Sequence, residues 1–144
     1  HVGGLYTNGA ISVSTAYFKG SNPSDTGAGM NPAALGGAQT SGNLDMFSVG
    51  LGYRVSPTVN LTSGYYDLKD QANSGNHATM SVIGADYAFS KRTKLYADVA
   101  SVNNVGSNMN MAPEYGVPVA AGGKGAVADG ISSTAFMLGI RHKF

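Results

Sequence analysis

"STAFMLGIRHKF", residues 133–144, alternates in a way that decides the fold. Phe136, Leu138, Ile140, His142 and Phe144 share one parity, and Ala135, Met137, Gly139, Arg141 and Lys143 share the other. Successive side chains of a β-strand point to opposite faces, so a strand here carries one large apolar face and one that is small, flexible or cationic. A helix would turn each residue by about 100° and scatter Phe136, Leu138, Ile140 and Phe144 around its circumference. The alternation also runs out to Phe144, where chain ends are ordinarily a polar fray.

The same period recurs upstream. In residues 43–55, Phe47, Val49, Leu51, Tyr53 and Val55 oppose Met46, Ser48, Gly50, Gly52 and Arg54. In residues 81–89, Ile83, Ala85, Tyr87 and Phe89 oppose Val82, Gly84, Asp86 and Ala88; in residues 94–101, Leu95, Ala97 and Val99 oppose Lys94, Tyr96 and Asp98. A short pattern marks the strand ends: "GGLYTN" at 3–8, "GLGYRVS" at 50–56 and "GADYAFS" at 84–90 each place Tyr three residues after Gly and just before a turn former. Alternating runs follow at once, at 10–19, 58–68 and 93–102, which predicts three tight hairpins. Residues 21–43 and 103–130 are long, aperiodic and rich in Gly, Asn, Ala and Pro, and residues 69–77 form a shorter polar link. Connections therefore alternate between short and long. A sandwich has the same solvent at both ends and no reason for such parity, whereas outer-membrane barrels have short turns at one end and long loops at the other.

Composition agrees. Charged residues are 12% of the 144, about half the ~25% usual for globular chains, and the 21 glycines are about twice the usual ~7%. Hydrophobic residues are 42% with a mean hydropathy of −0.06, as expected of strands with one apolar and one polar face. The absence of cysteine removes disulfides and thiolate chemistry. A net charge of +1 without a basic cluster argues against nucleic acid as a partner. No secretory leader pattern precedes the first strand, so any leader is expected to have been removed or never included. No apolar run approaches the roughly 18 residues of a membrane helix, but a barrel strand needs only about 9–11.

A lipid-facing Arg or Lys at the bilayer midplane costs about 2–4 kcal/mol. The strand charges therefore belong on the inner face, which makes Arg54, Asp86, Lys94, Asp98, Arg141 and Lys143 candidate pore-lining residues. Tyr6, Tyr53 and Tyr87, on the outward parity beside the short turns, are candidates for an aromatic girdle at one membrane boundary. The expected fold is an all-β, antiparallel up-and-down transmembrane barrel.

"GADYAFSKRTKLYADVASV" at 84–102, the closing "GIRHKF" at 139–144 and "VGLGYRVSPTVNLTSGYYD" at 49–67 resemble the trimeric general porins of Gram-negative bacteria, of the neisserial and beta-proteobacterial type. That resemblance implies a sixteen-stranded barrel, of which residues 1–144 would be the C-terminal part of a single domain, about the last six to seven strands. It implies a multi-pass protein of the outer membrane that is homotrimeric, lies among lipid and lipopolysaccharide, and passes ions and small hydrophilic solutes without a cofactor. Phe144 would close the last strand at the periplasmic rim, as the assembly signal read by the barrel-assembly machinery. The inward-folded third loop that narrows such pores would lie outside this chain.

The charges are uneven. Arg54, Lys91, Arg92, Lys94, Arg141 and Lys143 lie towards the short-turn end with only Asp86 and Asp98, while Asp25, Asp45, Asp67, Asp70, Glu114 and Asp129 lie towards the long loops with Lys19, Lys69 and Lys124. A cationic ring around a water-filled lumen raises the local anion concentration, so a mild anion preference is expected, with Arg54, Arg141 and Lys143 as contributors. The competing reading pairs Arg54 or Arg141 with Asp86 as a structural contact. "GGKG" at 122–125 lacks the spacing of a phosphate loop, and "NLT" at 60–62 falls within a strand. An enzyme would need His77 or His142 beside a nucleophile, and these are predicted near opposite rims. The remaining alternative is a non-conducting surface barrel; Gly50, Gly52, Gly64, Gly84 and Gly139 oppose it, because they leave the inner wall bare rather than filled.

Overall fold

The computed structural model describes residues 1–20, 44–71, 75, 77–105, 111–114, 117–120 and 131–144. The centres of both long connections, with Asp25, Lys124, Asp129 and "GGKG", lie outside the described residues. The elements are β1 (Val2–Asn8), β2 (Ile11–Gly20), β3 (Leu44–Arg54), β4 (Val59–Asp70), β5 (His77–Ala88), β6 (Thr93–Val105), β7 (Met111–Glu114), β8 (Val117–Ala120) and β9 (Ser133–His142). Seven of them form one antiparallel sheet in the order β1-β2-β3-β4-β5-β6-β9, and β7 and β8 pair as a separate hairpin. Every sheet neighbour but one is a chain neighbour, as in an up-and-down barrel wall.

The short turns explain the repeated sequence pattern. Between β1 and β2 the loop is Gly9-Ala10, and Gly9 takes φ 60°, a conformation that suits glycine and the twist of a two-residue hairpin. The β3–β4 and β5–β6 turns share another device. Val55 and Ser56 N–H both donate to Val59 O, and Ser56 Oγ accepts from the N–H of Thr58 (3.2 Å) and Val59 (3.0 Å). Phe89 and Ser90 N–H both donate to Thr93 O, and Ser90 Oγ accepts from the N–H of Arg92 and Thr93, each at 3.1 Å. One serine thus satisfies two backbone donors that no ladder could reach.

Register puts the expected residues on common faces. Directly paired residues share a face, and Ile11, Tyr53, Leu61 and Ala85 pair in succession across β2 to β5. Ile83, Val99 and Phe136 do so across β5, β6 and β9. This outer face exposes Leu51, Ile83, Phe136, Leu138 and Ile140, the last three at 61–68%. A contiguous apolar face of this breadth suits hydrocarbon rather than water. Leu5 and Phe18 are exceptions, exposed apolar residues on the inner parity of β1 and β2.

The strands reach further towards the long loops than the sequence reading has them. β4 runs to Asp70, β5 begins at His77 and β6 runs to Val105, so residues 69–70, 77 and 103–105 are strand rather than link. Towards this long-loop end the faces exchange character: the outer side carries Thr79, Ser81, Ser101, Asn103 and Thr134, and the inner side carries Leu68, Ala78, Met80, Ala100 and Val102. The buried apolar residues, Leu68 with Ala78 and Met80 with Ala100 and Val102, all lie in that inner zone.

Candidate functional site

The inner face is layered from the short-turn end upward. Lys94 pairs with Ala88 and Arg141, and Arg54, Asn60, Asp86, Tyr96 and Gly139 pair in succession across β3, β4, β5, β6 and β9. One step further, Gly52, Thr62, Gly84, Asp98 and Met137 are joined in the same way. Beyond them comes a belt of small residues, Ser14, Ser48, Gly50 and Gly64, and then the apolar zone.

Asp86, Lys94, Tyr96, Asp98, Met137 and Arg141 line one open concavity of about 290 Å³. Arg54 lines a neighbouring one with Asn60, Asp86 and Lys94. Five of the six sequence-predicted wall residues therefore converge on the lower inner face. Lys143 does not join them: it follows the last paired residue of β9 and is exposed, its N–H donating to Arg92 O at 2.9 Å.

No ion pair forms among Arg54, Asp86, Lys94, Asp98 and Arg141 within the described residues. The Arg141 guanidinium instead lies 5.9 Å from the centroid of the Tyr96 ring. Their charge is directed at the space they enclose. By contrast, Lys69 and Asp67, on the outer face at the long-loop end, pair at 3.1 Å.

The inner-wall glycines are not bare, which corrects the sequence reading. A Cβ at Gly139 would run into the Tyr96 ring, one at Gly84 into the Asp98 carboxylate, and one at Gly50 would come within 2.6 Å of Ser14 Oγ. Each glycine makes room for a neighbouring strand's side chain to lie along the wall, so glycine thins the wall while the neighbour supplies its chemistry. Sequence spacing could not reveal this, because the partner lies on another strand.

Tyr6, Tyr53 and Tyr87 all lie on the outer face near the short turns. Phe89 packs edge-to-face on Tyr87 at 4.9 Å and Phe144 on His142 at 5.0 Å, extending the aromatic row. A second outward row, Tyr17, Phe47 and Tyr65, lies at the other margin of the apolar band and was not singled out from sequence. Its signal was the same parity some six residues further along each strand. Tyr17 there donates its hydroxyl to Asp45 Oδ1 at 3.0 Å. His77 and His142 both face outward at opposite ends of the sheet, and His142 Nδ1 lies 2.9 Å from Thr93 Oγ1. No metal-binding cluster of His, Asp and Glu occurs among the described residues.

An antiparallel sheet with an apolar outer band, aromatic rows at its margins and a charged inner face is the wall of a transmembrane β-barrel. Residues 1–107 match the family model of Gram-negative porins, and the chain belongs to that family, whose members reside in the outer membrane. Among solved structures, an anion-selective porin from Comamonas acidovorans superposes with a TM-score of 0.70 at 22% identity, over 99% of this chain and 37% of that one. OmpT, an outer membrane protein of Vibrio cholerae, superposes in its trimer form with a TM-score of 0.62 at 18% identity, over 97% of this chain and 39% of that one. The chain thus spans little more than a third of the length of these structures, and at such identity they speak to the fold alone. No curated protein sequence matches it.

Proposed function

We propose that the sheet is one arc of a closed barrel domain and that the complete protein is a water-filled channel for passive diffusion of ions and small hydrophilic solutes. The observation that carries this reading is the inner wall, where five charged side chains without ion-pair partners among the described residues face an open concavity beside a belt of serine and glycine. Such a wall keeps water in the lumen and solvates a passing ion. It requires no chemistry of the wall.

Selectivity follows from the sign of the wall. At the short-turn end of the inner face Arg54, Lys94 and Arg141 face Asp86 and Asp98, a net charge of +1 there, and Lys143 adds a further cation at the rim, while Asp70 lies on the same face far off at the long-loop end. A mild anion preference results, weakening as salt shortens the Debye length. The Comamonas structure, anion-selective by its title, is consistent with this reading. Homotrimerisation is proposed on the family and on the trimeric form of the Vibrio structure. The outward tyrosine rows would anchor the wall at the two membrane boundaries, next to lipid and lipopolysaccharide.

The selectivity is tested on the full-length protein by exchanging Arg54, Lys94 and Arg141 for Gln and measuring the reversal potential across a KCl gradient. The triple variant is expected to move towards cation selectivity without losing conductance. An unmoved potential would remove these residues from ion selection.

A further inference from the structure

The charges of the lower inner wall do not stand at equal height. Arg54, Lys94 and Arg141 are exposed, whereas Asp86 and Asp98 are half-buried. Net charge alone does not decide what a passing ion meets, because the influence of a charge falls with distance and is weaker from the wall than from within the lumen. The three cations therefore outweigh the two acids by more than their number.

Two glycines produce this difference. Tyr96 and Asp98 follow each other on the inner face of β6, and each has a glycine as a cross-strand partner, Gly139 on β9 for Tyr96 and Gly84 on β5 for Asp98. A Cβ on Gly139 would meet the Tyr96 phenol ring, so that ring leans towards β9. A Cβ on Gly84 would meet the Asp98 carboxylate and, at 2.8 Å, Thr62 Oγ1, so Asp98 leans the other way, along the wall onto β5. Gly84, roofed by these two side chains, is buried. Arg141 is the next residue after Gly139 on the same face of β9, and its guanidinium lies 5.9 Å from the centroid of the Tyr96 ring, within cation–π range. The ring is seated on Gly139 and half-buried, while Arg141 is exposed. It holds the guanidinium off Asp86 and Asp98, which line the same concavity and would draw an unsupported cation down to the wall.

We propose that Gly84 and Tyr96 set the anion preference by position: Gly84 lets Asp98 lie along the wall, and Tyr96, seated on Gly139, props Arg141 out into the lumen. Both are positioning residues, acting through the charges beside them. The inference rests on the anion-preferring channel proposed above, and the experiment separates the two.

Neither Gly84→Ala nor Tyr96→Leu changes the formal charge, so a selectivity set by charge number alone would not move in either. In the full-length protein in a planar bilayer under a KCl gradient, each is expected to lower the anion-over-cation permeability ratio about twofold, while Tyr96→Phe, which keeps the ring, retains the wild-type ratio. The nearest atoms to a methyl at Gly84 are side-chain ends that can turn away, so this variant is expected to fold. Unmoved ratios in Gly84→Ala and Tyr96→Leu, in a channel whose wild type prefers anions, would overturn the proposal. Equal losses in Tyr96→Phe and Tyr96→Leu would overturn the role of the ring. Labelling of Asp98 by a water-soluble carbodiimide, read by mass spectrometry, reports its position without conduction. Gly84→Ala is expected to label roughly threefold faster than wild type, and an equal rate would overturn the role of Gly84. Faster labelling in a protein that conducts nothing would support the placement of Asp98 while contradicting the channel reading.

Discussion

Ser56 and Ser90 do the same work at equivalent places, each accepting two backbone N–H groups at a short turn. Replacing Ser90 by Ala leaves both donors to water and is expected to cost about 1 kcal/mol in urea unfolding of the lipid-embedded protein, with little effect on conductance. Gly139 makes the opposite demand, for absence rather than chemistry. Gly139→Leu would displace the Tyr96 ring and the Arg141 resting near it, costing about 1–3 kcal/mol in the same unfolding measurement and disturbing the charged wall. The serines were visible in the sequence only as turn formers. The dependence of Gly139 on Tyr96 was invisible, because residues 43 apart in sequence meet only through the β6–β9 register.

Each strand carries two chemistries, and the face a residue takes decides what a charge costs there. Leu138 pairs with Ala97 on the outer face, and Met137 pairs with Asp98 on the inner one. Leu138→Arg is expected to destabilise the folded protein by about 2–4 kcal/mol in lipid, while Met137→Arg, beside a carboxylate, is expected to be tolerated. Equal costs, measured as urea midpoints in vesicles, would mean the faces are wrongly assigned. This parity was legible because lipid and water impose a strong contrast with period two. It faded towards the long-loop end, where the outer side turns polar and the inner side apolar, so a rule tuned to hydrocarbon reads residues 69–70, 77 and 103–105 as link where the strands continue. The β7–β8 hairpin was missed for another reason. Pro113 and Pro118 stand opposite each other in it, and proline, lacking an N–H, argues against a strand.

At the scale of the molecule, the sheet is an arc whose two edges, β1 and β9, have no partner within the described residues. Free edges of this length are not left unpaired in hydrocarbon, so in the membrane the arc is part of a closed wall. The alternation of short and long connections gave the barrel, and the family match over residues 1–107 agrees. What the whole barrel encloses depends on the inner face, and the proposed function is a water-filled and mildly anion-preferring channel. The most direct test is the conductance of the full-length protein in a planar bilayer under a KCl gradient. Discrete steps with a reversal potential on the anion side are the expected result. Folded, inserted protein that stays electrically silent, or a strongly cation-selective potential, would contradict it.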